Sequence, residues 1–308
     1  MGRYVLRRLL QLVPVFLGTT FLIYLLVWAI PGDPFAGKCG DRPCPDAYIT
    51  RMREEFHLDD NVVVQYARYL INLVQGDFGE TFSGTSVSEL IATAYPVTVR
   101  LALVALLIEA LIGLAAGVLT GLRSGGYLDN LVLVSTLFLI AIPVFVTGYV
   151  LQTVLGLRLG IISPTVSSAA GFGELLVPGF VLGSLSMAYV ARLTRTSIAE
   201  NRRTDYVRTA IAKGLTPRRV VGVHLLRNSA IPVVTFLGVD LGSLMGGAIV
   251  TEGIFNIRGV GGLIFRSIQT KEGATVTGVV VLLVIVYLLM NLLVDVLYAV
   301  LDPRIRYD

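Results

Sequence analysis

Six stretches of this 308-residue chain, roughly 9–30, 99–122, 131–156, 175–191, 232–253 and 276–300, are dominated by apolar residues and carry very few charges. Each lies near the ~20 residues that an α-helix needs to cross ~30 Å of hydrocarbon, the fourth being the shortest. No other feature restricts the fold as strongly. In lipid every backbone N–H and C=O must be bonded internally, which leaves only helices or a closed barrel. A barrel is built from ~10-residue segments of alternating polarity, and these long apolar runs are the opposite pattern. The expected class is therefore an all-α integral membrane protein with six transmembrane helices. Composition agrees: 15% of the residues are charged and 55% are apolar, against about 25% and 45–50% in a soluble domain. The first run follows MGRYVLRRLL and is uncharged from Leu9 to Gly32. It is longer than a signal-peptide core and no A-x-A cleavage site follows, so it reads as a helix that stays in place.

The runs divide the chain into a first transmembrane helix (1–30), a polar loop (31–97) and a core of helices two to six (98–308) that includes the connection 192–231. In the polar loop, apolar residues recur at helical spacing over 45–58 and 62–74, which predicts a small folded cap rather than a free linker. Lys and Arg set the orientation. With the N-terminus cytoplasmic, the inner segments hold 15 of the 25 cations, among them Arg3, Arg7, Arg8, Arg123 and the dense group from Arg192 to Arg227. Both termini are then cytoplasmic and the long loop is extracytoplasmic. That loop holds both cysteines, Cys39 and Cys44, in CGDRPCP. Four residues separate them where a CxxC motif has two, and no further Cys is present to complete a zinc site. A local disulfide and two unpaired thiols both remain open, and an extracytoplasmic position favours the disulfide.

Two helices carry glycine at every fourth position: Gly113, Gly117 and Gly121 in one, Gly238, Gly242 and Gly246 in the other. Small residues at this spacing share a face and allow helices to approach closely in lipid. Ionisable residues at membrane depth are costly and mark candidate sites. Glu109 shares the first glycine face and points into a helix contact. Asp240 lies off the second stripe, toward a translocation path or another subunit. Glu252, near the outer end of helix five, reads as part of an outer gate or as a loop anchor, and Asp295 as a residue reaching the inner interface. In the loop between helices five and six, Gly259, Gly261 and Gly262 permit either a tight turn or a packed interfacial loop.

The most informative segment is NRRTDYVRTAIAKGLTPRRVVGVHLLRN, in the longest cytoplasmic connection. Thr204 suits an N-cap, Asp205 favours the helix dipole and Gly214 suits the position after the helix end. The expected helix, Asp205 to Lys213, is about 13 Å long. Thr216 and Pro217 then start a second helix. Such a segment is either a basic loop that sets topology or a rigid lever able to dock in a partner's groove.

This segment resembles the EAA loop of permease subunits of ABC importers. The triplet positions hold Arg208, Thr209 and Ala210 followed by Gly214, so only the Ala and the Gly match. Those departures are similar to the dipeptide/oligopeptide branch, with RTA-x-AKG and H-x-LRN-x-x-IP. RRLLQLVPVFLG, PGDP, GDFG, YVARLTR, TEGIFNIRGVGGL and LDPRIRY agree with that branch in order along the whole chain. The resemblance implies a multi-pass, non-catalytic subunit of a bacterial inner (plasma) membrane importer of dipeptides or oligopeptides. Its implied partners are a second homologous permease, two cytoplasmic ATPase subunits that hold ATP and Mg, and an extracytoplasmic solute-binding protein. Nickel, haem or glutathione are the alternative cargoes. Segment 203–219 would be the coupling region, with Asp205, Tyr206, Arg208, Thr209, Ala210, Lys213, Gly214 and Arg218 at the ATPase. The Arg at 208 stands where the family pattern has its glutamate.

Other classes fit less well. A membrane serine protease pairs a Ser with a His, but His57 and His224 lie outside the runs and no G-x-S-x-G is present. The chain has no P-loop motif, and no cofactor is expected on it. A secondary transporter normally shows an inverted repeat, and none is evident. The basic residues lack interleaved aromatics, so nucleic acid is not an expected partner.

Overall fold

The computed structural model describes residues 2–28, 44–55 and 57–301. The described residues are helical apart from turns and one isolated bridge between Glu80 and Ser86. In chain order the helices are α1 (Gly2–Trp28), α2 (Asp46–Glu55), α3 (Val62–Val74), α4 (Val87–Leu122), α5 (Tyr127–Ala141), α6 (Val144–Leu151), α7 (Leu176–Asn201), α8 (Asp205–Ala212), α9 (Pro217–Arg219), α10 (Leu226–Ser229), α11 (Ile231–Ile254), α12 (Val260–Gln269) and α13 (Gly273–Leu301). Two π-helical stretches extend the set, Gln152–Arg158 after α6 and Val220–Leu225 between α9 and α10. The helices α1, α4, α7 and α13 are each long and apolar enough to cross a membrane. Two bent pairs, Tyr127–Ala141 with Val144–Arg158 and Pro217–Ser229 with Ile231–Gly246, bring the candidate spans to six when each pair is counted as one.

The bends are departures from the expected straight runs, and each has a cause in the chain. The run 131–156 breaks at Ile142–Pro143 with a 99° bend. Pro143 has no N–H for the helical ladder and pushes the preceding residue into extended backbone, and Ile142 sits at φ −90°, ψ 123°. The second pair bends by 44° where α10 meets α11. There Pro232 cannot bond the carbonyl four residues back, so the ladder is interrupted. Two other helices outrun their apolar stretches. The fourth apolar run covers 175–191, but α7 continues to Asn201, with Arg195 of this extension paired to Asp129. Likewise α4 begins at Val87, well before residue 99.

The chain forms two compact units, and α4 and α13 contribute to both. The first comprises residues 1–97 and 258–292. In it, α1 keeps an apolar outer surface that suits lipid and turns Thr20 and Tyr24 inward onto α3. The Thr20 and Tyr66 hydroxyls are 2.7 Å apart, and the Tyr66 hydroxyl also donates to the Leu17 carbonyl. The rings of Phe21 and Tyr66 stack edge-on at 5.1 Å, and Tyr24 and Tyr69 lie 5.6 Å apart. Burial among these rings pushes the Tyr69 phenol above its ordinary range. The amphipathic pieces of the polar loop form α2 and α3. The Gly259–Gly262 segment is the start of α12, where Gly261 and Gly262 are buried, and not a tight turn.

The second unit comprises residues 98–257 and the chain from 293 onward. It is built around α7, the most buried of the long helices, with α5, α6, α10 and α11 packed against it. That placement explains why the span with the lowest mean hydropathy can carry Ser184, Thr194 and Ser197: they face protein, not lipid. The helix α4 packs on α7 along glycines. A Cβ at Gly113 would stand 2.7 Å from Val190 Cγ1, at Gly117 2.4 Å from Thr194 Cβ and at Gly121 2.9 Å from Ile198 Cβ. The second stripe is used unevenly. Gly238 meets Val294 at 3.0 Å, Gly242 is buried, and Gly246 is exposed with open space around it.

Candidate coupling surface and polar clusters

The segment after α7 folds into a compact knob. The side chains Val207 and Ala210 of α8 form a core with Ile198, Val220 and Leu225. Val118 and Leu122 of α4 and Leu215 pack against that core. Thr204 occupies the N-cap position, but its hydroxyl donates to the Asn201 carbonyl instead of capping an α8 amide. Tyr206 donates to Asn201 Oδ1 at 2.6 Å, and Arg202 donates to the Leu122 carbonyl at 3.0 Å. Gly214 closes α8 with φ +72°, a left-handed conformation that L side chains rarely adopt, and Leu215 then donates to the Ala210 carbonyl. The chain continues through Thr216 and Pro217 into a single α-helical turn and the π-helical stretch.

This knob sorts the residues expected at the ATPase into two groups. Asp205, Tyr206, Arg208, Thr209, Lys213, Gly214 and Arg218 are exposed, whereas Ala210 is buried and faces the protein's own core. Ala210 therefore supports the helix from beneath. Ile211, 61% exposed, adds an apolar anchor on the outer face that the motif comparison did not single out. Arg208 and Asp205 approach only to 3.8 Å at the exposed surface.

Asp129 and Arg195 were not paired by the sequence reading, and they join α5 to α7. Arg195 Nε donates to Asp129 Oδ1 at 2.5 Å and its Nη2 to Oδ2 at 2.8 Å. The Gly125 amide donates to Oδ2 as well, and Asp129 is only 2% exposed. Their sole sequence signals are an acid in the first turn of a helix and an arginine in YVARLTR.

A second polar cluster lies at the far end of α11. Glu252 is fully buried and accepts from the Thr98 hydroxyl of α4 at 2.6 Å. Gln152, in the π-helical stretch, donates to the carbonyls of Pro164 and Ile254 at 2.8 and 2.7 Å. The Val166 amide donates to the Phe255 carbonyl. Between the clusters, Glu109 of α4 is fully buried, and Asp240 of α11 lies beside it and beside Ser186 of α7. Neither Glu109 oxygen nor Asp240 Oδ2 has a hydrogen-bond partner. Asp240 thus meets two helices of its own chain, an arrangement that glycine-stripe geometry did not anticipate. Cys39 lies outside the described residues. Among the described residues, no three His, Cys, Asp or Glu side chains come together in a way that would hold a metal.

Comparison with known proteins identifies the family. Residues 113–307 match the family model described as binding-protein-dependent transport system inner membrane component, and residues 1–102 match the model for the N-terminal part of such membrane components. The chain is 33% identical to a probable peptide ABC transporter permease of Sinorhizobium fredii, over 100% of both chains. It is 34% identical to a di/tripeptide transport system permease of Pseudomonas aeruginosa over 99% of both. It is 37% identical to a glutathione transport system permease of Salmonella typhimurium over 100% of both.

Proposed function

Because the chain belongs to the family of binding-protein-dependent transport system inner membrane components, we propose that it is one permease subunit of an ATP-driven peptide importer. In this reading a second, homologous permease completes the path, two cytoplasmic ATPases supply the energy and an extracytoplasmic binding protein delivers the cargo. Both chain termini face the cytoplasm of a bacterial cell. Glutathione is itself a tripeptide, and full-length identity to a glutathione permease makes it the specific second cargo to test.

The observation that carries the coupling role is the two-sided α8. Its inner face is locked into the core of α7 and the π-helical stretch, while its outer face presents Tyr206, Arg208, Ile211 and Lys213. A short helix held this way moves only as a block, so a push on its outer face reaches the ends of α4 and α7. ATPase closure would act on that face. Asp240 and Glu252 are the candidates for path and gate, Glu252 closing on Thr98 in the present conformation.

The decisive experiment is Gly214→Pro in the importer reconstituted with its partners in proteoliposomes. Proline requires φ near −65° and removes the amide that Gly214 donates to the Ile211 carbonyl. ATP hydrolysis should persist while uptake of labelled alanyl-alanine and of glutathione falls at least tenfold. Wild-type uptake in that variant would reject the coupling role. Uptake of either peptide by this chain alone, without ATP, would reject the importer reading altogether.

A further inference from the structure

The ion pair Asp129–Arg195 has a geometry that the coupling helix alone does not explain. Arg195 lies one helical turn before Ile198, the residue on which α8 packs. Its guanidinium grips both oxygens of Asp129 in the first turn of α5, and the Gly125 amide completes the carboxylate's shell. Along the same stretch of α7, Gly117 and Gly121 bring α4 against the Thr194 and Ile198 side chains and the Ala191 and Arg195 carbonyl oxygens. Arg202 then bonds the last carbonyl of α4. The ends of α4, α5 and α7 are thereby fastened to one another at the level of the knob. Of these fastenings, only the ion pair reaches α5, and α5 is the helix that leads into the 99° break at Ile142–Pro143.

We propose that Asp129 and Arg195 are positioning residues that carry the displacement of α8 into the bent span α5–α6. This rests on the coupling role proposed for α8. A bidentate arginine–carboxylate pair resists both sliding and rotation, which a single contact does not, and at 2% exposure of the aspartate it is little screened by water. Without the pair, α8 and α7 would still move together, but α5 would be held to α7 only by side-chain packing and the short α4–α5 turn, which allow sliding that the two-pronged grip prevents.

The test uses the complete importer, with its second permease and ATPases, in proteoliposomes. Arg195→Ala removes the pair, and Arg195→Lys keeps the charge but cannot form the two-pronged grip. ATP hydrolysis and alanyl-alanine uptake are measured in the same vesicles, and the quantity read is uptake per ATP. A merely structural role lowers the amount of assembled complex and leaves that ratio unchanged. The expected result is a fall of at least tenfold in the ratio for Arg195→Ala, with Arg195→Lys intermediate. An unchanged ratio in both variants would overturn the proposal. Loss of the assembled complex in Arg195→Lys would also overturn it, because the pair would then be a requirement for folding. Gly214→Pro, run in parallel, separates this from failure of the coupling role. If Gly214→Pro uncouples and the Arg195 variants do not, the lever stands and the joint falls.

Discussion

Thr98 and Glu252 stand 154 positions apart, yet one hydroxyl–carboxylate bond of 2.6 Å joins them in a fully buried site. A buried hydrogen bond contributes about 0.5–1.5 kcal/mol net. Thr98→Val keeps the shape and removes the donor, so the assembled importer should melt several degrees lower in detergent, whereas Thr98→Ser should melt with the parent. Arg208 behaves in the opposite way. Its 3.8 Å approach to a fully solvated Asp205 stabilises almost nothing. Arg208→Ala should therefore leave the melting temperature unchanged, and any loss should appear in co-purification with the ATPases. An Arg208 variant that unfolds the permease would contradict the exposed position of this side chain.

Helices, not residues, decide what the glycine stripes mean. In sequence the two stripes look alike. In space, a Cβ at Gly117 would fall 2.6 Å from the Ala191 carbonyl oxygen, a backbone atom that cannot swing away, while Gly246 has open space. Gly117→Leu should force α4 and α7 apart and abolish the folded subunit, read as loss of a monodisperse peak in size-exclusion chromatography. Gly246→Ala should leave that peak intact. The bends belong to this scale as well. Pro143 and Pro232 stand in plain view in the sequence, but an apolar run reads the same whether it is straight or broken, since hydropathy counts side chains and not backbone bonds. The π-helical stretches at Gln152–Arg158 and Val220–Leu225 leave no mark in hydropathy for the same reason.

The whole molecule is a membrane subunit whose proposed orientation, with both termini inside, rests on where its cations lie. Thiol labelling of intact cells tests it. Cys44 is disulfide-bonded, so an impermeant maleimide should react with it from outside only after reduction. Labelling that requires permeabilised cells would invert the topology. At this scale the sequence determined a good deal. The thickness of the bilayer and the need to bond every backbone group internally force long apolar runs, so the number of spans and the helical class follow from composition along the chain. Gly214 and the ends of α8 were legible too, because a helix end is a local event, although the Thr204 hydroxyl turns back to the Asn201 carbonyl and leaves the α8 amides uncapped. Only the tertiary structure decided which charges meet. Asp129 with Arg195, Glu109 with Asp240 and Thr98 with Glu252 are each brought together by helix packing, across separations that no local rule spans. It also decided that Ala210 faces inward and Ile211 outward, because the side of α8 that is buried depends on where α7 and the π-helical stretch lie beneath it.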